Sequence, residues 1–457
     1  MAIEMNLSEL EKAYKKKHET PGQVRNILPF VTTLGRELKD DFNDLMGEYV
    51  RQFCKHTIKE QQKKIDEIEF EDPLIAKLTS QIDFRNEAQL DLERFLRQFL
   101  FGANHDMKVF HPYIYNFLPV PEKENYRKFS KFIADVLVGE NSEVVAVFKD
   151  KQSEDILTEL ILNNLEVKSH ENKSKGSYQN LLPFLSALYQ DDLLFISKHR
   201  DYFLSHFSLL THFYSFMYLC QISYKFEQFV LGDFSQASQF YFALEWEPLS
   251  KRRKSTEELG FKGIKDKLHR LFVHLHTLSQ LSMQSIEERE LPFLTYPDLN
   301  KQFTDDNEKS IFINSLNDWI TKYSSIFPSE EEDHYKPKVE IDQAMKGLFE
   351  KVRKGVNREA AERYGKNIQA FGGKTFIKSR SSLGQVFNMN QSMLLLLTAI
   401  CVRDTRMPLN SLFNEFARRG VVFDRLSKKA IIDLYDSLNI LDKKSDSGDA
   451  QYVKPIL

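Results

Sequence analysis

The sequence predicts a mainly α-helical protein. A large multi-helix body with few short strands is followed by a C-terminal winged helix-turn-helix domain. Three observations carry this reading. Apolar residues recur at helical spacing through most of residues 1–325. Strand-like runs are few and short. Residues 388–457 read in order as helix, helix, helix and hairpin, the element order of a winged helix.

In the body, helical periodicity marks residues 42–67, 87–101, 124–137, 178–189, 206–226, 264–281 and 309–324. Strand-like signals fall at 143–148 and 239–246, the latter rich in aromatic residues as strands tend to be. No repeat of fixed period is present. The expected organisation is a helical body over 1–326, with a candidate break near 168–177, and an acidic linker over 327–340. Helices and a short basic strand and turn over 341–387 then connect to the winged helix over 388–457.

The terminal domain opens with residues 391–403, which are apolar nearly all round and so predict a helix buried nearly all round. Pro408 opens a second helix, with Leu409, Leu412, Phe413 and Phe416 on its buried stripe. Arg418 and Arg419 favour the negative end of its dipole, and Gly420 ends it. After a short extended link at 421–423, Asp424 or Ser427 caps a third helix that buries Ile431, Leu434, Tyr435 and Leu438. Two strands, 440–444 and 451–455, flank a loop of Ser, Asp and Gly.

On the third helix, Lys429, Asp433 and Asp436 fall opposite the buried stripe. The two acids would repel phosphate. Arg425, Lys428 and Lys429 near the helix start, with Lys443 and Lys444 on the wing, are the candidate DNA contacts there. Lys374, Lys378 and Arg380 on the basic strip upstream are candidates for phosphate oxygens. A winged helix that holds another protein is the competing reading.

No catalytic residue stands out. The Phe371-Gly372-Gly373-Lys374-Thr375 run lacks the first glycine of a P-loop, since Ile368 occupies that place. Phe376 and Ile377 also look strand-like where a P-loop opens a helix, so the glycines read as a hairpin turn. His274 and His276 point to different faces of a helix, and His269 and His276 share a face without a carboxylate to complete a metal site. Glu245 and Glu247, with Asp233 and Lys251 nearby, are the nearest approach to a metal-dependent nuclease. Glu247 has Leu249, not a lysine, two places on. Lys251-Arg252-Arg253-Lys254 is either a phosphate grip or a solvated loop, and Ser255 to Glu258 reads as a helix cap.

Over residues 371–457 the chain resembles the C-terminal part of DptG, the G subunit of DNA phosphorothioation-dependent restriction systems. The resemblance rests on Phe371-Gly372-Gly373-Lys374-Thr375-Phe376, Gly384-Gln385-Val386-Phe387 and Leu394-Leu395-Leu396-Leu397-Thr398. It continues through Phe416-Ala417-Arg418-Arg419-Gly420-Val421-Val422-Phe423-Asp424 and the closing phrase from Ser445 to Pro455. These pieces span about a fifth of the chain, in consistent order and spacing. The resemblance implies an accessory role in prokaryotic antiviral defence, beside two ATPase partners, the F and H subunits. It implies no cofactor and transfers no catalytic residue. The alternatives are a metal-dependent nuclease and a stand-alone DNA-binding regulator.

Bulk numbers bound these readings. The 457 residues carry a net charge of −3, so the whole chain is not a basic nucleic-acid binder. The charge is uneven: residues 371–457 hold 13 basic and 8 acidic side chains, which leaves −8 on the remainder. A basic end on an acidic body suits DNA or an acidic partner. Cys54, Cys220 and Cys401 are far apart and suggest neither a zinc knuckle nor a disulfide framework, so a reducing cytoplasm is expected. The polar N-terminal stretch lacks the apolar core of a signal peptide. Residues 209–226 are the most membrane-like, but polar interruptions predict a buried helix instead of a span.

Overall fold

A computed structural model describes residues 3–14, 27–29, 42–57, 67–80, 82, 88–102, 107–121, 124–169, 178–285, 293–328, 335–443 and 451–457; the side chains of 67–72 and 443 lie outside that description. The protein is mainly helical with few short strands. It divides into two compact units, Asp40–Ser177 with Ser186–His212, and Met1–Lys39 with Tyr178–Leu185 and Phe213–Leu457. Residues 388–457 fall in the same unit as the helices of 213–326.

The first unit is built from short helices: Met46–Cys54, Glu67–Thr79, Ala88–Leu100, Glu124–Ile133, Ser142–Lys149 and Ile156–Asn164. The helix expected over 42–67 stops at Cys54, because Lys55 takes a left-handed conformation (φ 56°) and His56–Thr57 then pairs with Lys168–Ser169. Residues 58–66 and 170–177 lie outside the described residues. The strand expected over 143–148 is a helix. Asn141 caps it through the N–H groups of Glu143 and Val144, and that cap overrides the β-branched run Val144-Val145. One core joins Leu74, Leu78, Leu96, Leu100, Ile114 and Ile161. A second packs Phe53, Phe148, Phe203 and Phe207 ring against ring.

In the second unit, helix α1 (Arg200–Phe226) contributes its C-terminal part. From Phe213 to Phe226 it is almost wholly buried. Its polar side chains are satisfied inside the protein: Gln221 donates to Ser238 O at 2.7 Å, Ser223 to Leu219 O at 2.8 Å and Lys225 to Gln236 O at 2.7 Å. Among the described residues, no helix is long and apolar enough to cross a membrane. Strand β1 (Phe240–Leu244) follows, then helices α2 (Phe261–Leu281), α3 (Asp306–Ile326), α4 (Ile341–Gly355) and α5 (Arg358–Gly372). The helix start expected after the Ser255 cap is displaced: Lys254–Thr256 forms only a single tight turn, and α2 begins five residues beyond it. Gly365 lets α5 lie against α2, since a Cβ there would stand 2.4 Å from His269 Cδ2.

Strands β2 (Ile377–Ser379), β3 (Gln385–Met389), β4 (Met407–Pro408), β5 (Val421–Val422), β6 (Leu441–Lys443) and β7 (Gln451–Val453) interleave with helices α6 (Gln391–Val402), α7 (Leu409–Arg418) and α8 (Arg425–Ser437). They form two sheets. One has the order β2-β3-β1-β5, with β1 parallel to both β3 and β5. β1 is thus central and nearly all buried, which is why its sequence is a continuous apolar run. Phe387 of β3 stacks on Phe242 with centroids 4.9 Å apart. The other sheet has the order β4-β7-β6, all antiparallel. The glycines at 372 and 373 end helix α5 and do not form the hairpin turn; the β2–β3 turn is at 380–384, with Gly384 at φ 75°.

Candidate nucleic-acid interface

The local chemistry of the last seventy residues follows from their caps. Asn390 accepts from Met393 N and starts α6. Pro408 ends β4 and stands just before the first residue of α7, not inside it. Gly420, at φ 83°, turns the chain from α7 into β5. Asp424 caps α8 by accepting from the N–H groups of Leu426 and Ser427, each at 3.0 Å. Ser427 is instead the third residue of the helix. Asn439 closes α8 in the left-handed region (φ 57°), a conformation Asn tolerates. Tyr435 of α8 shares a 2.5 Å hydroxyl contact with Thr398 of α6, which fixes the two helices across the core.

The candidate basic residues fall into two groups. Arg425 and Lys429 are exposed on the first turns of α8. Lys428 is half-buried, its ammonium 4.8 Å from the Phe413 ring centroid. Asp433 and Asp436 are exposed further along the same helix. Lys443 is placed by its main chain on β6, and Lys444 lies outside the described residues with the wing loop. The second group is on and before β2. Lys374 is exposed. Lys378 donates to Glu245 Oε1 at 2.7 Å, and Arg380 Nη2 donates to the carbonyls of Leu244 and Glu245, both at 2.9 Å. Lys378 and Arg380 therefore grip the end of β1 before they can reach anything outside.

Glu245 and Glu247 do not act as a pair. Glu245 is exposed and bound to Lys378. Glu247 is 5 % exposed and belongs to a buried polar cluster. There Arg253 Nη2 donates to Glu247 Oε2 at 2.9 Å, to Asp424 Oδ1 at 2.7 Å and to Ser427 Oγ at 2.8 Å, while Arg253 Nε donates to Asp424 Oδ2 at 2.5 Å. Ser427 Oγ donates to Glu247 Oε1 at 2.8 Å. Burial pulls the Arg253 guanidinium down, but its hydrogen bonds to Asp424 and Glu247 outweigh that and raise it. Arg253 is therefore a permanent internal cation and not part of a solvated run.

Sequence reading missed this cluster. Asp424 was legible as a cap, but nothing local to residues 247–253 announces a partner so far along the chain. His274 is also spoken for. It is fully buried, faces the Tyr296 hydroxyl at 2.9 Å and sits 3.0 Å from Glu227 Oε1. A carboxylate only accepts, so Nε2 carries the proton and Nδ1 takes the Tyr296 hydroxyl. Among the described residues, no group of three or more His, Cys, Asp or Glu side chains is placed to hold a metal ion. No protein-family profile matches the chain, and no curated protein matches it.

Proposed function

We propose that this chain is a non-catalytic accessory subunit of a DNA phosphorothioation-dependent restriction complex in the cytoplasm. It docks the F and H ATPase subunits through its helical body and meets DNA through a C-terminal winged helix. The observation behind the DNA contact is the arrangement of residues 391–453. Three helices run in succession, and the short strand between the first two pairs with the second strand of the closing hairpin, in the order β4-β7-β6. In a winged helix of this order the third helix, here α8, is the reading helix. Its exposed cations sit at its start and its exposed acids lie further along, so the N-terminal turns face phosphate.

The defence setting rests on the resemblance of residues 371–457 to the G subunit. The non-catalytic reading is supported by the fate of Glu245 and Glu247. Each is engaged by a cation, and they are not converged on a common point as metal-dependent cleavage requires. The test is binding of the purified chain to a labelled DNA duplex across a salt series. We expect affinity that falls as salt rises, with a weaker and flatter response in Arg425→Ala/Lys429→Ala. Affinity unaffected by either salt or these substitutions contradicts DNA contact through α8.

A further inference from the structure

The buried cluster has an outer face. Arg253 holds the chain at 247–253 against the first turn of α8, so the residues flanking it are brought beside the residue following Asp424. Those flanking residues are Lys251 and Arg252, both exposed, and the residue after Asp424 is Arg425, with Lys429 one turn further. Among the described residues, none of these four forms an ion pair. Trp246 lies between Glu245 and Glu247 and is 42 % exposed, whereas the chain's other tryptophan, Trp319, is fully buried. The segment that carries this exposed indole is tied down on both sides of it, Glu245 by Lys378 and Glu247 by Arg253, and leads within a few residues to the exposed Lys251 and Arg252.

We propose that Lys251 and Arg252 join Arg425 and Lys429 in one surface, bordered by Trp246, that carries the sugar-phosphate backbone of a DNA duplex past the start of α8. This rests on the reading of α8 given above and adds a contact from outside the terminal domain. Charge complementarity selects the partner: four free cations on two elements locked together suit a polyanion with regularly spaced phosphates. The N–H groups at the start of α8 are already taken by Asp424, so side chains make the contacts.

The experiment compares duplex binding by the full chain, by Lys251→Ala/Arg252→Ala and by Arg425→Ala/Lys429→Ala over a salt series. Each double variant should bind more weakly, with the log–log salt slope flattened by about two, one for each phosphate left without its cation. Melting temperatures should match the parent, since the substituted side chains are exposed and unpaired. Bound duplex should also shield the tryptophan emission from iodide, and Trp246→Phe should abolish the iodide-sensitive component. If Lys251→Ala/Arg252→Ala binds like the parent while Arg425→Ala/Lys429→Ala does not, the extended surface is wrong and the α8 reading stands. If the parent chain binds no duplex, both fail. If Lys251→Ala/Arg252→Ala keeps its DNA affinity but no longer co-purifies with the ATPase subunits, the surface is a protein dock and the proposal is overturned.

Discussion

The guanidinium of Arg253 closes on the carboxylate of Asp424 with two hydrogen bonds, of 2.5 and 2.7 Å, across 171 residues of chain. The pair is buried, with 6 % and 8 % of the side chains exposed. It ties the loop after β1 to the cap of α8, and so makes the terminal helices continuous with the unit that β1 belongs to.

Removing Arg253 strands two buried acids. Arg253→Ala should destabilise the protein by about 3 kcal/mol, the low end for breaking a buried pair, because the truncated side chain admits water to Glu247 and Asp424. Arg253→Lys keeps the charge but cannot present the fork, and should recover only part of the loss. Denaturant titration of the two variants measures both. An Arg253→Ala variant as stable as the parent would show the cluster to be dispensable.

The same pair sets an acid sensitivity. Burial would raise the Asp424 carboxyl, but the Arg253 hydrogen bond and the Ser427 N–H outweigh it and hold the group below its ordinary value of 3.8. A carboxyl lowered in the folded state contributes stability that is complete above its unfolded value and is lost as pH falls. The melting temperature should therefore drop as pH goes through and below 3.8, and Asp424→Asn should remove that part of the slope. Parallel curves for parent and variant would contradict it.

Gly420 is a second sensitive point. It sits at φ 83°, and a Cβ would stand 2.7 Å from Gln221 Nε2 and 2.8 Å from Met217 Cε, both on α1. Gly420→Ala combines backbone strain with a clash against a buried helix, and should cost at least about 1–2 kcal/mol. Calorimetry of the variant checks this. By contrast Lys378→Ala, which breaks an exposed pair with Glu245, should change stability by less than about 1 kcal/mol.

Much of the terminal region was legible because its signals are local. The helix read over 391–403 is Gln391–Val402, the left-handed glycine ends α7 as expected, and the hairpin strands follow. Cys54, Cys220 and Cys401 are buried free thiols. What the sequence hid is long-range. β1 pairs in parallel with β3 and β5, so residues read as separate domains share one sheet, and no periodicity within either stretch encodes its partner. Lys429, Asp433 and Asp436, which helical rotation put opposite the buried stripe, are exposed, whereas Arg419, read as a dipole partner, is 2 % exposed and paired with Glu415. Lys378 and Arg380 looked free because the acid and carbonyls they bind lie on a distant strand.

Charge reversal of Lys428, Lys429, Lys443 and Lys444 together should impair protection against phage in cells carrying the whole restriction system. Plating efficiency of phage on the variant strain reads this directly. Full protection would show that these lysines take no part in defence.

Co-expression with the F and H ATPase subunits is the decisive experiment. The chain should co-purify with both at low salt, the assembled complex should need it to attack unmodified DNA, and the chain alone should cleave nothing with magnesium or manganese. Failure to associate, or metal-dependent cleavage by the isolated chain that Glu245→Gln/Glu247→Gln abolishes, would contradict the accessory role.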